Sequence, residues 1–265
     1  MHRLTRRVRF SVNPFLNEQS EGCNSFSSKP NGEGLAIFFE LSIELVDDVE
    51  PATGFVVNVS DIDKIVRSNA VPVFMNTVRE YYHRTEHISL STIIELLKSS
   101  YEKLRNKFAT AQINSINLNL NPFRKVSLKS EDMDMIYFSE KYEFAATHKL
   151  WNESFTEQQN LEIFGKCANP TSHGHNYIVE VTIKMPADRS GFKISDFEQT
   201  VDAEFIKRVD HKNLNLDVDF FKKTNPTVEN ITTFAWEKLV GKFGNQFLYC
   251  VTVWESDRTY CSYYG

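Results

Sequence analysis

The strongest constraint on how this chain folds is that its pattern is written twice. Arg7-Val8-Arg9-Phe10-Ser11 parallels Lys141-Tyr142-Glu143-Phe144-Ala145, and Phe39-Glu40-Leu41-Ser42-Ile43 parallels Val179-Glu180-Val181-Thr182-Ile183. Thr53-Gly54-Phe55 with Ser60-Asp61-Ile62 parallels Ser190-Gly191-Phe192 with Ser195-Asp196-Phe197, and Ile116-Asn117-Leu118-Asn119 parallels Val251-Thr252-Val253-Trp254. A repeat of roughly 130 residues implies a duplicated βαβ-like module. The charged stretch Lys129-Ser130-Glu131-Asp132 reads as the join, so the expected domains are 1–131 and 132–265. In the second copy the periodicity gives strands at 142–150 and 175–185, helices at 197–209 and 227–243, and a closing strand pair within 248–264; residues 91–108 are the first copy's counterpart of the later helix. Phe197, Val201, Phe205 and Val209 recur every fourth residue and present one apolar face to a sheet. Asp196 stands where an N-cap would, and Pro226 suits the first turn of the next helix.

Composition narrows the function. With 265 residues, 41% of them hydrophobic, disorder is excluded as the main state, and a net charge of −5 argues against nucleic-acid or membrane-surface binding, which need a basic footprint. A small anionic substrate needs only a local positive pocket. The Arg-rich start lacks the apolar core of a signal peptide and no later run could span a bilayer, so a cytoplasmic protein is expected. Four cysteines at Cys23, Cys167, Cys250 and Cys261 do not make a disulfide scaffold, which leaves Cys167 available as a thiol.

The chemistry gathers in the second copy. Cys167-Ala168-Asn169-Pro170-Thr171-Ser172-His173-Gly174-His175-Asn176-Tyr177 holds a potential thiolate and two imidazoles on alternate positions. In an extended strand His173 and His175 point to one face and could grip one ion. In Phe144-Ala145-Ala146-Thr147-His148, alternation puts His148 on the face of Phe144 and Ala146, where a neighbouring strand could bring it to the other two. Three imidazoles with a fourth position open is a catalytic zinc arrangement; the plain alternative is a His148 that ends its strand for packing reasons. Asp210-His211 is an acid beside an imidazole, which can transfer protons near neutral pH or be no more than a turn. Glu255 follows Trp254 on the terminal strand, where a carboxylate could accept two parallel N–H bonds from a flat heterocycle or simply face solvent.

In this order the motifs resemble the 6-pyruvoyl-tetrahydropterin synthase family of tunnelling-fold enzymes. The carriers are Phe144 to His148, Phe164-Gly165-Lys166-Cys167 through Tyr177, Asp210-His211-Lys212-Asn213-Leu214-Asn215-Leu216-Asp217, Pro226-Thr227-Val228-Glu229-Asn230 and Trp254-Glu255-Ser256-Asp257. The resemblance implies that His148, His173 and His175 bind Zn2+, which holds the side-chain hydroxyls of 7,8-dihydroneopterin triphosphate. It makes Cys167 the proton-abstracting base with Asp210 and His211 as partners, Glu255 the anchor of the pterin ring, and Thr227 a pocket residue. Elimination of triphosphate with internal redox tautomerisation would give 6-pyruvoyl-tetrahydropterin. A thiolate at Cys167 is expected from zinc and His211 nearby. Lys149, Lys166 and Lys212 are triphosphate candidates by position. The five residues between Cys167 and His173 resemble the pyruvoyl-forming enzymes; the alternatives are a 6-carboxytetrahydropterin synthase or a non-catalytic pterin-binding module.

The first copy lacks this set. Pro14 stands in the place of His148, Glu33 and Leu35 around Gly34 replace the other two histidines, Asn121 replaces Glu255, and Cys23 is not at the matching distance. The expectation is an α+β chain of two tandem tunnelling-fold modules, each a four-stranded antiparallel sheet with two helices on one face, of which 1–131 is non-catalytic. The open sheet edges call for pairing, and the resemblance implies rings of modules. A homo-oligomer is therefore expected, with three tandem chains as one solution.

Overall fold

The computed structural model describes residues 1–15, 36–188, 192–244 and 246–265. Cys23, Glu33, Gly34, Leu35 and the pair Ser190-Gly191 lie outside the described residues. The chain divides into two compact units, Met1–Tyr137 with Pro186–Arg189, and Phe138–Met185 with Ser190–Gly265.

The first unit is an antiparallel sheet with helices on it. In chain order it holds β1 (His2–Val12), β2 (Ile37–Asp47), α1 (Val59–Asn69), α2 (Val71–His83), α3 (Leu90–Leu104), β3 (Gln112–Asn119) and β4 (Arg124–Lys129), and the strands lie side by side in numerical order. Alternation sets the buried face. Val8 pairs with Leu41, Ile43 with Ile116 and Leu118 with Val126, all buried, so one side of the sheet is a continuous apolar surface. Ile62, Val66, Phe74, Val78, Ile94 and Leu97 cover it from the helices. Asn58 caps α1 and Ser89 caps α3 by accepting N–H bonds from the first turn. The unit carries three helices where the pattern implied two: α2 starts one residue after α1, with Pro72 in its first turn, where a missing N–H costs nothing.

Asp63 of α1 is fully buried and takes the Arg6 Nε of β1 at 2.7 Å and the Arg67 Nε at 3.6 Å. Removing the carboxylate strands two guanidinium groups against the sheet. Asp63→Ala is expected to cost about 3 kcal/mol of stability, read as a lower urea midpoint; an unchanged midpoint would show that the pair contributes nothing.

The second unit has β5 (Met135–His148), α4 (Glu157–Phe164), β6 (His173–Pro186), α5 (Ile194–Val201), α6 (Lys207–Val209), β7 (Lys212–Asn213), α7 (Leu214–Asp217), α8 (Val228–Leu239), β8 (Phe247–Ser256) and β9 (Thr259–Tyr263). Its sheet runs β5-β6-β8-β9, with β7 pairing parallel to the end of β5. Residues 197–209 do not form one uninterrupted α-helix. A π-turn over Asp202–Ile206 separates α5 from α6. In an ideal α-helix residues four apart drift by roughly 40° per step, and the wider π-turn draws them back into line. Phe197, Val201, Phe205 and Val209 are all buried.

The helix starts also differ from the sequence reading. Lys193 is the cap residue of α5 and Asp196 lies inside its first turn; Thr227 caps α8, so Pro226 precedes the helix rather than lying in its first turn. The connection between β5 and β6 contains α4, opened by a capping box between Thr156 and Gln159. Among the described residues no helix is long and apolar enough to cross a membrane.

Candidate active site

The site grows from the ends of two neighbouring strands. Phe144, Ala146 and His148 take the buried face of β5, and His148 is 1% exposed; His173, His175 and Tyr177 share the corresponding face of β6. The imidazole centroids are 4.4 Å apart for His148 and His173, 5.1 Å for His148 and His175, and 4.8 Å for His173 and His175. Gly174 between them leaves room for β5: a Cβ there would meet Thr147 Cγ2 at 3.3 Å.

The tautomer of His148 follows from its partner. Its Nδ1 lies 2.7 Å from the Pro226 carbonyl, which only accepts, so Nδ1 carries the proton and Nε2 a lone pair. That Nε2 faces His173 Nε2 at 3.0 Å. His173 Nδ1 and His175 Nε2 are buried with no hydrogen-bond partner. One ligand atom from each imidazole falls within 4.8 Å of the others. Three convergent imidazoles with unspent nitrogens fit one divalent cation of the borderline-soft class, zinc among them.

The pocket also favours the neutral form of two of these rings, His148 and His173. Burial, reinforced by His173 and His175, holds His148 down to about 4, and burial with His175 lowers His173. An unfolded histidine binds its proton near 6.5, so between about 6.5 and 4 the unfolded chain holds more protons than the folded one. Stability of the metal-free protein is therefore complete above about 6.5 and declines as pH falls toward 4. Urea midpoints measured across that interval read the effect; a flat series would contradict it.

Glu255 reaches the same cluster. Val251 and Val253 pair with Val181 and Val179 on the buried face, and alternation puts Glu255 next on that face. An irregularity in the β8–β9 pairing between Trp254 and Ser256 falls on this residue, a device that re-aims a side chain. Its Oε1 lies 3.6 Å from both His148 Nε2 and His175 Nε2. Trp254, on the opposite face, packs with Tyr260 and Lys141 instead.

Cys167 sits on a short 3-10 turn after α4, with its carbonyl accepting from Leu150 N–H at 2.8 Å. The expected thiolate rests on zinc and His211; the groups that surround Cys167 in the metal-free chain act the other way. Burial first, and then the Glu255 carboxylate, push the Cys167 thiol up. The same causes, burial, Glu255 and Cys167, raise the Tyr177 phenol, so these three groups share one environment.

Asp210 and His211 are strapped to the other edge of β5. His211 N–H donates to Ala145 O at 2.6 Å, Asp210 Oδ1 accepts from Ala145 N–H at 2.9 Å, and Asp210 Oδ2 lies 2.9 Å from His211 Nδ1. Burial opposes ionisation of Asp210, but these hydrogen bonds outweigh it and hold the carboxyl below its usual range. His211 adopts φ +55°, a left-handed conformation that marks a constrained turn. Its side chain, 83% exposed, faces a groove of about 430 Å³ shared with Thr147, Gly174, His175 and Asn176. Among the described residues no hydrogen bond or ion pair joins Cys167 to Asp210 or His211 within one chain. Thr227 Oγ1 is engaged as the cap of α8, accepting from Asn230 N–H. The sequence reading missed the Pro226 carbonyl, whose only signal was its place just before that cap.

An α+β unit whose sheet carries three convergent imidazoles, with a thiol and a carboxylate beside them, defines a protein of the metal-site enzyme class. The sequence matches the 6-pyruvoyl tetrahydropterin synthase family model over residues 137–265. It is 35% identical over 133 residues to a 6-pyruvoyl tetrahydrobiopterin synthase of Drosophila melanogaster, covering 49% of this chain and 79% of that one. It is 35% identical over 130 residues to the Homo sapiens protein of the same name, covering 48% and 90%. A solved Caenorhabditis elegans 6-pyruvoyl tetrahydropterin synthase aligns at 32% identity over 49% of this chain and 96% of that one, with a TM-score of 0.47. This chain belongs to the 6-pyruvoyl tetrahydropterin synthase family.

Proposed function

We propose that the chain converts 7,8-dihydroneopterin triphosphate to 6-pyruvoyl-tetrahydropterin with loss of triphosphate, at a zinc site in the second unit. The observation that carries this reading is the convergence of His148, His173 and His175, with unspent nitrogens, beside Cys167 and Glu255. The three imidazoles would hold the zinc, which when bound supplies Lewis-acid stabilisation of negative charge on substrate oxygens. Cys167 removes a carbon-bound proton from the substrate side chain as a general base. Asp210 fixes the His211 ring through its Nδ1 and leaves Nε2 to give and take protons at the exposed groove. Glu255 accepts N–H bonds from the pterin ring, and its position near the histidines sets the ring within reach of Cys167. Thr227 holds the start of α8 and, through it, the Pro226 carbonyl that orients His148.

The protein is read as cytoplasmic, and as a homo-oligomer because its antiparallel sheets offer strand edges that further copies can pair. The first unit, 1–131 in the sequence reading, is assigned no catalysis. Pro14 is buried in a turn where the second copy has His148, and the Asn121 carboxamide accepts from Phe123 and Arg124 N–H groups.

Incubation of the purified chain with 7,8-dihydroneopterin triphosphate tests the reaction. Inorganic triphosphate and 6-pyruvoyl-tetrahydropterin are the expected products. Acetaldehyde with a 6-carboxypterin would assign the sister reaction, and substrate returned intact by zinc-loaded protein would leave a binding module.

A further inference from the structure

We propose that a second groove, beside the histidine cluster, is a polyphosphate subsite in which Lys149, Lys222 and Lys223 hold the triphosphate arm of the substrate; this rests on the reaction proposed above. The groove has a volume of about 730 Å³, within the range that holds a small ligand. Its wall touches the histidine site along the chain at three points. Lys149 follows His148, Ser172 precedes His173, and Asn225 precedes Pro226, whose carbonyl takes the His148 Nδ1–H. The groove and the histidine site are thus built on the same three chain segments.

The charge of the lining suits an anion. Three lysines line it against the single acidic residue Glu153. Lys149 Nζ lies 3.9 Å over the Trp151 ring, a contact that orients the side chain while keeping it charged. Lys222 pairs with Asp219 at 2.6 Å, but Asp219 is 93% exposed and such a pair is weak, so a polyanion can take its place. Lys223 has no ion pair among the described residues. Lys212 lines the His211 groove instead, and Lys166 lines neither.

The wall is also pre-built. Asn215 accepts from Lys149 N–H at 2.8 Å and donates to Lys149 O at 2.9 Å, while Asn225 accepts from Trp151 N–H at 2.9 Å. Two carboxamides thus fix the backbone carrying Lys149 and Trp151 before any ligand arrives, which reduces the ordering cost of binding. In the sequence Lys149 is separated from the other two lysines by more than seventy residues, and nothing in their spacing marks them as one site.

The test is calorimetric titration of the zinc-loaded full chain with inorganic tripolyphosphate, with zinc content measured afterwards. Lys222→Ala/Lys223→Ala is expected to weaken binding by about tenfold. The charge-matched Lys64→Ala/Lys207→Ala, on exposed lysines that do not line the groove, is expected to bind as the parent does. In turnover, the groove variant raises KM for the triphosphate substrate with kcat unchanged. The proposal is overturned if the parent does not bind tripolyphosphate, if both double variants weaken equally, if the groove variant binds normally, or if the heat signal tracks zinc loss. Tripolyphosphate bound in the groove by a chain without synthase activity would overturn the reaction and leave the anion site.

Discussion

Cys167→Ala is expected to lower turnover of 7,8-dihydroneopterin triphosphate by a factor of about 10³, the contribution of a positioned general base, with folding and zinc content unchanged. The structure separates the two roles of this residue. Its fixed contact is a backbone carbonyl bonded to Leu150 N–H, which alanine retains, while the thiol is only partly buried. Loss of the side chain therefore costs chemistry and little stability. The environment also predicts how the thiol behaves without metal. Burial and Glu255 raise its pKa, so alkylation of Cys167 in metal-free protein is slower at neutral pH than that of an ordinary cysteine and rises only as pH climbs above the usual thiol range. A bound cation opposes Glu255, so zinc is expected to speed alkylation. Turnover that survives the alanine change at the parental rate would remove the thiol from the mechanism.

His173→Ala/His175→Ala is expected to abolish tight zinc binding and reduce turnover by about 10⁴ or more, since two of three nitrogen donors are lost. Both rings are only half-buried and their unspent nitrogens make no protein hydrogen bond, so stability is expected to change by less than about 1 kcal/mol. His148 is different. It is enclosed and bonded to Pro226 O, and its removal would leave a cavity and an unpaired carbonyl at a cost of about 2 kcal/mol. Circular dichroism and metal analysis on the double variant separate loss of the ion from loss of the fold.

Where the sequence carried a strict periodicity, the elements were legible. Alternation named the buried faces of β5 and β6, and with them the three histidines that the fold brings together. What escaped had a cause outside local pattern. The extra helix α2 follows α1 after one residue, so no polar break separates them. The π-turn in residues 202–206 leaves no mark except the strict four-residue spacing it serves. The thiol's surroundings depend on Glu255, nearly ninety residues away, and the lysine groove needs residues 149, 222 and 223 on one surface. Pairing of Asp210-His211 was visible as adjacency; its attachment to β5 was not, because it uses the backbone of Ala145, which any residue would provide.

Zinc stoichiometry decides whether the chemistry of this chain resides in its second unit alone. Native mass spectrometry of the full chain after zinc loading and buffer exchange is predicted to give one ion per chain, and none in His173→Ala/His175→Ala. Two ions per chain, or one ion retained by that double variant, would place a metal site elsewhere and contradict the assignment.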